Sequence, residues 1–204
     1  MQLIGMLDSP YVRRVAISLK LFGLPFEHRP VSVFRHFEEF RQINPLVKAP
    51  SLVCDDGVVL TDSSLILDYL ESLAAADRRL MPPGGAPRRQ ALQLLGIALT
   101  ACDKTVQIVY ERQLRPTEKL HQPWLDRILQ QLVSACDALE AATLKAHPWL
   151  LGERLSQADV SVAVAWRFIQ YTVADLIPAQ RYPLLSAWSA RAESLPQFVA
   201  TPLD

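Results

Sequence analysis

A segment rich in proline and glycine divides the chain into two parts whose patterns differ. The residues DRRLMPPGGAPR, at 77–88, include three prolines and two glycines, which interrupt both helices and strands. Signals for β-strands precede this segment, and only helical patterns follow it. We therefore predict a small α/β domain over residues 1–78, a linker over 79–88 and an all-helical domain over 89–204.

In the first part, short β-like runs alternate with helical patterns. The strongest signal is SLVCDDGVVL at 51–60, because Asp56-Gly57 between two apolar runs is typical of a tight hairpin. The other predicted elements are a strand at 3–6, a helix that ends near Gly23, a strand at 26–31, a helical stretch containing Phe34, Phe37 and Phe40, and a helix over 62–76 with apolar positions Leu65, Ile66, Tyr69, Leu70 and Leu73. The predicted order is β-α-β-α-β-β-α.

The second part carries four long helical patterns, roughly over 88–114, 117–146, 156–175 and 183–195, with prolines between them. Ser156 and Asp159 form an S-x-x-D pattern in front of an apolar run. This pattern predicts a structural capping box at the start of a buried helix.

Charge and composition exclude several classes of function. Lys plus Arg and Asp plus Glu both number 21, so the net charge is zero and no basic surface for nucleic acid is expected. The amino terminus lacks the core of a signal peptide, and no segment approaches about 18 uninterrupted apolar residues. We therefore expect a cytoplasmic protein with neither a nucleic-acid nor a membrane partner.

The three cysteines, Cys54, Cys102 and Cys136, are widely spaced and form no C-x-x-C pair. They lack the His-rich neighbourhood of a zinc site, so no metal site is predicted. Each is most simply a reduced, buried, small apolar residue.

Four short motifs occur in a fixed order along the chain. They are Ser9-Pro10-Tyr11-Val12-Arg13-Arg14-Val15, Asn44-Pro45-Leu46-Val47-Lys48-Ala49-Pro50, the run Leu60 to Leu70 containing Asp62-Ser63, and Leu155-Ser156-Gln157-Ala158-Asp159. Together with the order of elements, this set resembles the cytosolic glutathione transferases of the serine type. The resemblance covers nearly the whole chain and implies a thioredoxin-like N-terminal domain, an all-α C-terminal bundle, glutathione as co-substrate and a homodimer.

The resemblance implies that Ser9 holds the sulfur of glutathione as a thiolate. Pro10 suits the first position of a helix and favours an extended Ser9, so the residues themselves predict Ser9 as an N-cap. A charge-assisted hydrogen bond and a helix N-terminus together supply roughly 2–4 kcal/mol, which lowers a thiol pKa by about 1.5 to 3 units. Two alternatives are that Ser9 only caps the helix, and that Tyr11 contacts the sulfur.

The other glutathione contacts also follow from the resemblance. Ala49 and a cis Pro50 offer backbone groups to the cysteinyl part, while Ser63 and Asp62 meet the carboxylate and ammonium of the γ-glutamyl part. Lys48, Arg35 and His36 are candidate cations for the glycyl carboxylate. On the residues alone, Asp62 and Ser63 are equally well explained as plain helix caps, and each cation as a solvated charge.

The resemblance places a pocket for small apolar electrophiles beside Met6 to Asp8 and Tyr11. Tyr110, Trp166 and Tyr171 are further candidates for its lining, although aromatic residues at helical spacing are more often core.

The functional expectation is a transferase that attacks small hydrophobic electrophiles with glutathione, as in detoxification. Because position 9 is serine rather than cysteine, no mixed disulfide with glutathione can form there. A non-catalytic binding or regulatory module and a glutathione-dependent isomerase are the alternatives. The isomerase ranks low because Asp8-Ser9-Pro10-Tyr11 lacks the Ser-Ser-Cys-Ser cluster of the maleylacetoacetate type.

Overall fold

The computed structural model describes residues 1–203 and divides into two compact units. The first unit comprises Met1–Met81 together with the residues from Ser194 onward, and the second comprises Pro82–Glu193. The chain therefore returns to its first unit after the last long helix, a feature that the sequence patterns do not indicate.

The first unit is built on a four-stranded mixed sheet with the strand order β2-β1-β3-β4. Strand β1 pairs in parallel with β2 and antiparallel with β3, which pairs antiparallel with β4. The elements are β1 (Gln2–Ile4), α1 (Pro10–Phe22), β2 (Glu27–Arg29), α2 (Phe37–Ile43), β3 (Ser51–Val53), β4 (Val59–Thr61), α3 (Ser63–Leu73) and, near the carboxyl terminus, α8 (Pro196–Val199). The predicted order and the thioredoxin-like fold class are confirmed.

Local chemistry sets the limits of α1. Pro10 occupies the first turn, where its missing N–H costs no hydrogen bond. Gly23 ends the helix at φ 72°, and the N–H of Leu24 donates to the carbonyl of Leu19 at 3.0 Å. This left-handed glycine closes the last turn, as the stop signal at Gly23 predicts.

The hairpin forms where Asp56-Gly57 predicts it. Gly57 has φ 86°, and the N–H of Cys54 donates to the carbonyl of Val58 at 2.8 Å. The first strand is shorter than predicted and stops at Ile4, because Gly5 turns the chain away at φ 136°.

Buried side chains of Ile4, Val31 and Phe40 form a core cluster in this unit. Helix α3 buries only part of the apolar set that its spacing suggests. Ile66, Leu67 and Leu70 are buried, whereas Leu65, Tyr69 and Leu73 are exposed and lie one above the other along the helix.

The carboxyl-terminal return is held by α1. Arg13 is 2% exposed, and its Nε donates to the carbonyl of Thr201 at 2.8 Å. Its guanidinium carbon lies 5.9 Å from the ring centroid of Phe198. A buried arginine thus satisfies a buried carbonyl and packs on an aromatic ring.

The second unit is all helical, as predicted. It contains α4 (Gly85–Gln113), α5 (Gln122–Thr143), α6 (Gln157–Thr172) and α7 (Pro183–Glu193). Helix α5 starts later than the predicted residue 117. A short 3₁₀ turn at Thr117–Lys119 and the extended residues Leu120 and His121 precede it.

The predicted capping box opens α6. Oδ2 of Asp159 accepts from the N–H and the hydroxyl of Ser156, and Oδ1 accepts from the N–H of Leu150 at 2.8 Å. Asp159 is fully buried, and burial raises the pKa of its carboxyl while these donors oppose the rise. Its role in the chain is structural, as expected.

The predicted state of the cysteines is confirmed, since all three are buried and unbridged. Burial raises the pKa of the Cys136 thiol to about 12, so this thiol is inert at neutral pH. Within residues 1–203, no group of three or more His, Cys, Asp or Glu side chains is placed to hold a metal ion.

Among the helices of residues 1–203, α4 alone is long and apolar enough to cross a membrane by length and composition. Its most apolar window is 39% buried. Core helices of soluble proteins meet the same criterion, so this property is weak evidence for a membrane span.

Candidate functional site

The register of the sheet brings three loops to one end. Ile4, the last residue of β1, pairs with Ser51, the first residue of β3, and Ser51 pairs with Thr61, the last residue of β4. The segments that follow β1, precede β3 and follow β4 therefore start side by side. These segments carry Ser9, Ala49-Pro50 and Asp62-Ser63 respectively.

Gly5 allows two of these loops to touch. A Cβ on Gly5 would lie 2.6 Å from Cγ2 of Val12 and 3.1 Å from Cβ of Ala49. The Gly5 carbonyl is also 2.8 Å from Nε2 of His28. Any larger residue would push the loop that leads to Ser9 away from Ala49. Sequence reasoning missed this role, although a glycine directly after a strand is a usable signal.

Ser9 occupies the N-cap of α1, as predicted. Its φ and ψ are −72° and 122°, and its carbonyl accepts from the N–H of Arg13 at 2.9 Å. Its side chain makes no capping hydrogen bond and is half-buried. The Ser9 hydroxyl and the first N–H groups of α1 therefore remain available as hydrogen-bond donors to an anion.

Tyr11 lies half-buried in the first turn of α1, two residues from Ser9. Its place in the lining of an electrophile pocket, or against the sulfur, stays a prediction.

Ala49-Pro50 is a cis peptide bond, as the resemblance implies. None of the loop hydrogen bonds between backbone groups of residues 1–203 uses the N–H or the carbonyl of Ala49. The backbone of Ala49 therefore resembles a short strand edge that can still pair.

Asn44 fixes this loop from within and is a residue whose role sequence reasoning missed. It is 4% exposed, and its amide nitrogen donates to the hydroxyls of Ser51 and Thr61, both at 2.8 Å. Its amide oxygen accepts from the N–H of Leu46 at 3.0 Å. One buried amide thus ties the loop to β3 and β4.

Asp62 and Ser63 open α3 directly after β4. Asp62 is the N-cap with φ 76°, and its Oδ1 accepts from the N–H of Ser64 at 2.8 Å. Ser63 is buried, and its hydroxyl lies 3.0 Å from Nη1 of Arg14. The carboxylate of Asp62 stays half exposed, so it remains able to meet a cation.

Of the three candidate cations, Lys48 lies beside Asp62 at the start of α3. Its Nζ lies 3.9 Å from Oδ2 of Asp62. Arg35 is exposed in the turn before α2 and takes part in no ion pair within residues 1–203, and its backbone N–H donates to Ser32. His36 is occupied locally, because its Nδ1 accepts from the N–H of Ser32 at 3.3 Å.

The aromatic candidates for an electrophile pocket differ among themselves. Trp166 is 4% exposed, and its ring packs edge-on against Tyr182 at 5.6 Å between centroids. It belongs to the helical core, which corrects its proposed place in a pocket lining. Tyr110 on α4 and Tyr171 on α6 are exposed.

The second unit carries an open cavity of about 620 Å³ between α4 and α5. Uncharged residues line it, among them Gly96, Thr100, Gln130, Ser134 and Ala138. It contains no titratable group and none of the residues predicted for the site.

Comparison with known proteins identifies both units. Residues 3–78 match the family model for the glutathione S-transferase N-terminal domain, and residues 122–191 match the model for the C-terminal domain. Among curated proteins, maleylacetoacetate isomerase of Pseudomonas aeruginosa is 29% identical over 186 residues, which cover 86% of this chain and 80% of that protein.

Solved structures give the same result. A glutathione transferase family member from Pseudomonas fluorescens Pf-5, with bound glutathione, is 32% identical with a TM-score of 0.87, and the match covers 100% of this chain and 98% of that chain. A glutathione S-transferase from Methylobacterium radiotolerans, in complex with glutathione sulfonate, is 28% identical with a TM-score of 0.90 and coverages of 98% and 93%. The chain belongs to the glutathione transferase family.

Proposed function

We propose that this protein is a glutathione transferase that binds reduced glutathione in its first unit and attacks small hydrophobic electrophiles with the thiolate. The observation that carries this proposal is the N-cap of α1. The Ser9 hydroxyl lies at this helix start and makes no capping hydrogen bond. The family membership and the glutathione-bound relatives support the same ligand.

Ser9 acts by stabilising the sulfur anion. An ordinary thiol with a pKa near about 8.5 is only slightly ionised at neutral pH, and the thiolate is the nucleophile. The hydroxyl donates to the sulfur while the first N–H groups of α1 add positive potential, so the pKa of the bound thiol falls. The thiol proton is released to solvent, and the thiolate forms a carbon–sulfur bond with the electrophile. In a substitution, the bond to the leaving group breaks and the leaving group departs with its electron pair. In an addition, the electron pair of the substrate's double bond moves to an atom that then takes a proton from water.

The rest of the tripeptide is held by the neighbouring loops. The backbone of Ala49, next to Pro50, pairs with the cysteinyl part. Ser63 and the first N–H groups of α3 receive the γ-glutamyl carboxylate, and Asp62 receives the ammonium group. Lys48 meets the glycyl carboxylate, with Arg35 as the alternative cation, and Tyr11 borders the sulfur.

Calorimetric titration with glutathione, followed by turnover of a panel of electrophiles, tests this proposal. Wild type is expected to bind and turn over at least one electrophile, and Ser9→Ala is expected to bind with similar affinity but lose most of the turnover. Ser72→Ala, an exposed serine on α3, serves as the matched control. Binding without turnover would favour the non-catalytic module, and no binding would overturn the assignment.

A glutathione-dependent isomerase is the second candidate, because maleylacetoacetate isomerases are among the relatives. Ser9-Pro10 replaces the cluster that the isomerase pattern carries at this helix start. Turnover of maleylacetoacetate measured beside the electrophile panel separates the two. A rate on maleylacetoacetate above that on every electrophile would establish the isomerase instead.

The protein is proposed to act as a cytoplasmic homodimer with a detoxification role. The exposed stripe formed by Leu65, Tyr69 and Leu73 on α3 supports a dimer, since a row of large apolar side chains gains by being covered. Sedimentation of wild type, of Leu65→Glu and of the control Ser72→Glu tests it. We expect a dimer that only Leu65→Glu dissociates, and a monomeric wild type would refute it.

A further inference from the structure

Arg14 is a buried arginine that connects α1 to the start of α3. It is 3% exposed and lies on the second turn of α1. Its Nη1 donates to the hydroxyl of Ser63 at 3.0 Å and to the hydroxyl of Ser64 at 3.2 Å. One nitrogen of the guanidinium therefore holds the first two side chains of α3.

This contact determines which way the Ser63 hydroxyl can act. A guanidinium carries only donors, so the oxygen of Ser63 must accept from Arg14. The proton of the same hydroxyl must then point to a different acceptor. Ser63 is 3% exposed and sits among the first N–H groups of α3, where the acceptor favoured by the local field is an anion.

The positive charge of Arg14 acts in the same direction. A guanidinium that donates to a hydroxyl polarises it and strengthens the hydrogen bond that the hydroxyl donates in turn. The buried setting reduces the screening of this charge by solvent. Arg14 thereby strengthens the hydrogen bond that the Ser63 hydroxyl can donate at the N-terminus of α3.

We propose that Arg14 is a positioning residue that makes the protein selective for the α-carboxylate of the γ-glutamyl group, by fixing Ser63 as a donor toward it. This inference rests on the proposed binding of glutathione. Asp62 has other partners, since its Oδ1 accepts from the N–H of Ser64 at 2.8 Å and its Oδ2 lies 3.9 Å from Nζ of Lys48.

Arg13, the preceding residue, offers a matched control. It is equally buried on the same helix, but it donates to the carbonyl of Thr201 and packs on Phe198, both outside the loops that carry the site. Replacement of either arginine removes one buried guanidinium, and the hydrogen bonds to Ser63 and Ser64 at the start of α3 come from Arg14.

The test compares two ligands on three proteins by calorimetry. The ligands are glutathione and an analogue with γ-aminobutyryl in place of γ-glutamyl, which lacks the α-carboxylate. Wild type should prefer glutathione. Arg14→Met should weaken glutathione binding roughly tenfold, in keeping with loss of support to a charge-assisted hydrogen bond, and leave the affinity for the analogue within about twofold. Arg13→Met should retain the wild-type preference.

Two outcomes would overturn the inference. Equal weakening of both ligands by Arg14→Met would indicate an indirect effect on the fold, and no weakening of either would show that Arg14 does not support binding. If Arg14→Met fails to fold by circular dichroism, Arg14→Lys replaces it, with a smaller selective loss expected since one ammonium cannot match the fork. In a Ser63→Ala background the effect of Arg14→Met should largely disappear. Failure of wild type to bind either ligand would instead refute the proposed function.

Discussion

Helices α3 and α6 start with similar sequence signals, but their capping side chains differ in burial and in how many hydrogen bonds they make within the chain. At the start of α6, Asp159 is fully buried and three donors from its own chain use its carboxylate. At the start of α3, Asp62 caps one N–H but stays half exposed. Ser63 accepts from Arg14 and keeps its own proton to donate. One start is closed by the chain and the other is left open.

The start of α1 belongs with the open kind. Ser9 caps by position only, since its hydroxyl makes no capping hydrogen bond. A closed start contributes to stability, because its carboxylate accepts hydrogen bonds from buried donors. An open start contributes less to stability and keeps its donors available to a ligand. We propose that this difference separates structural helix starts from ligand-binding ones in this protein.

The largest effect is expected at the closed start. Asp159→Ala leaves the buried N–H groups of Leu150 and Ser156 without their acceptor, which costs roughly 3–4 kcal/mol of unfolding free energy in total. Urea denaturation measures this loss. The exposed Asp126→Ala, on α5, should cost less than about 0.5 kcal/mol. A loss of similar size in both variants would show that the α6 start is not closed in the sense described.

The open start of α1 should respond in chemistry rather than in stability. Ser9→Ala removes the proposed donor to the sulfur, so the pKa of the bound glutathione thiol should rise by about 1 to 2 units. The unfolding free energy should change by less than about 1 kcal/mol. Ultraviolet titration of the bound thiolate measures the pKa. An unchanged pKa together with a large loss of stability would mean that Ser9 is only a cap.

The sequence could predict the elements whose signals are local. Asp56-Gly57, Gly23 and the pair Ser156 and Asp159 each act within a few residues, and the structure has the turn, the helix end and the capping box where they indicate. Because these signals depend on backbone conformation and on neighbours along the chain, one sequence is enough to locate them.

The contacts that distinguish open from closed helix starts could not be predicted from the sequence, because they join residues that are far apart along the chain. Arg14 meets Ser63 across 49 positions and Arg13 meets Thr201 across 188 positions, and both arginines look like ordinary helix-surface charges in sequence. The approach of Gly5 to Ala49 depends on sheet register, as do the two hydroxyls that Asn44 holds. Helical spacing groups Leu65 with Ile66 and Leu70 as apolar positions of α3, and the fold buries the latter two but leaves Leu65 exposed.

A third helix start sharpens the comparison, because α7 is closed by a residue from another helix. Glu140 of α5 accepts from the N–H groups of Leu184 at 3.0 Å and Leu185 at 2.7 Å. Glu140→Ala should cost about 1–2 kcal/mol of unfolding free energy, and Glu140→Gln, which keeps an acceptor without charge, about half as much. Thermal unfolding of the two variants measures this. Equal losses would show that charge at the helix start contributes nothing.

The smallest effect is expected for a carboxylate that accepts hydrogen bonds from another side chain but remains exposed to solvent. The hydrogen bonds from Arg112 lower the pKa of Asp175 below its usual 3.8, and the side chains are 41% and 56% exposed. A lowered folded pKa means that the stabilisation is present above about pH 3.8 and is lost as the pH falls through the folded value. For an exposed pair it amounts to less than about 1 kcal/mol. Asp175→Asn should therefore lower stability slightly at pH 7 and converge with wild type below pH 3.8 in urea denaturation. A difference that persists unchanged at low pH would assign the effect to packing of Asp175 and not to its charge.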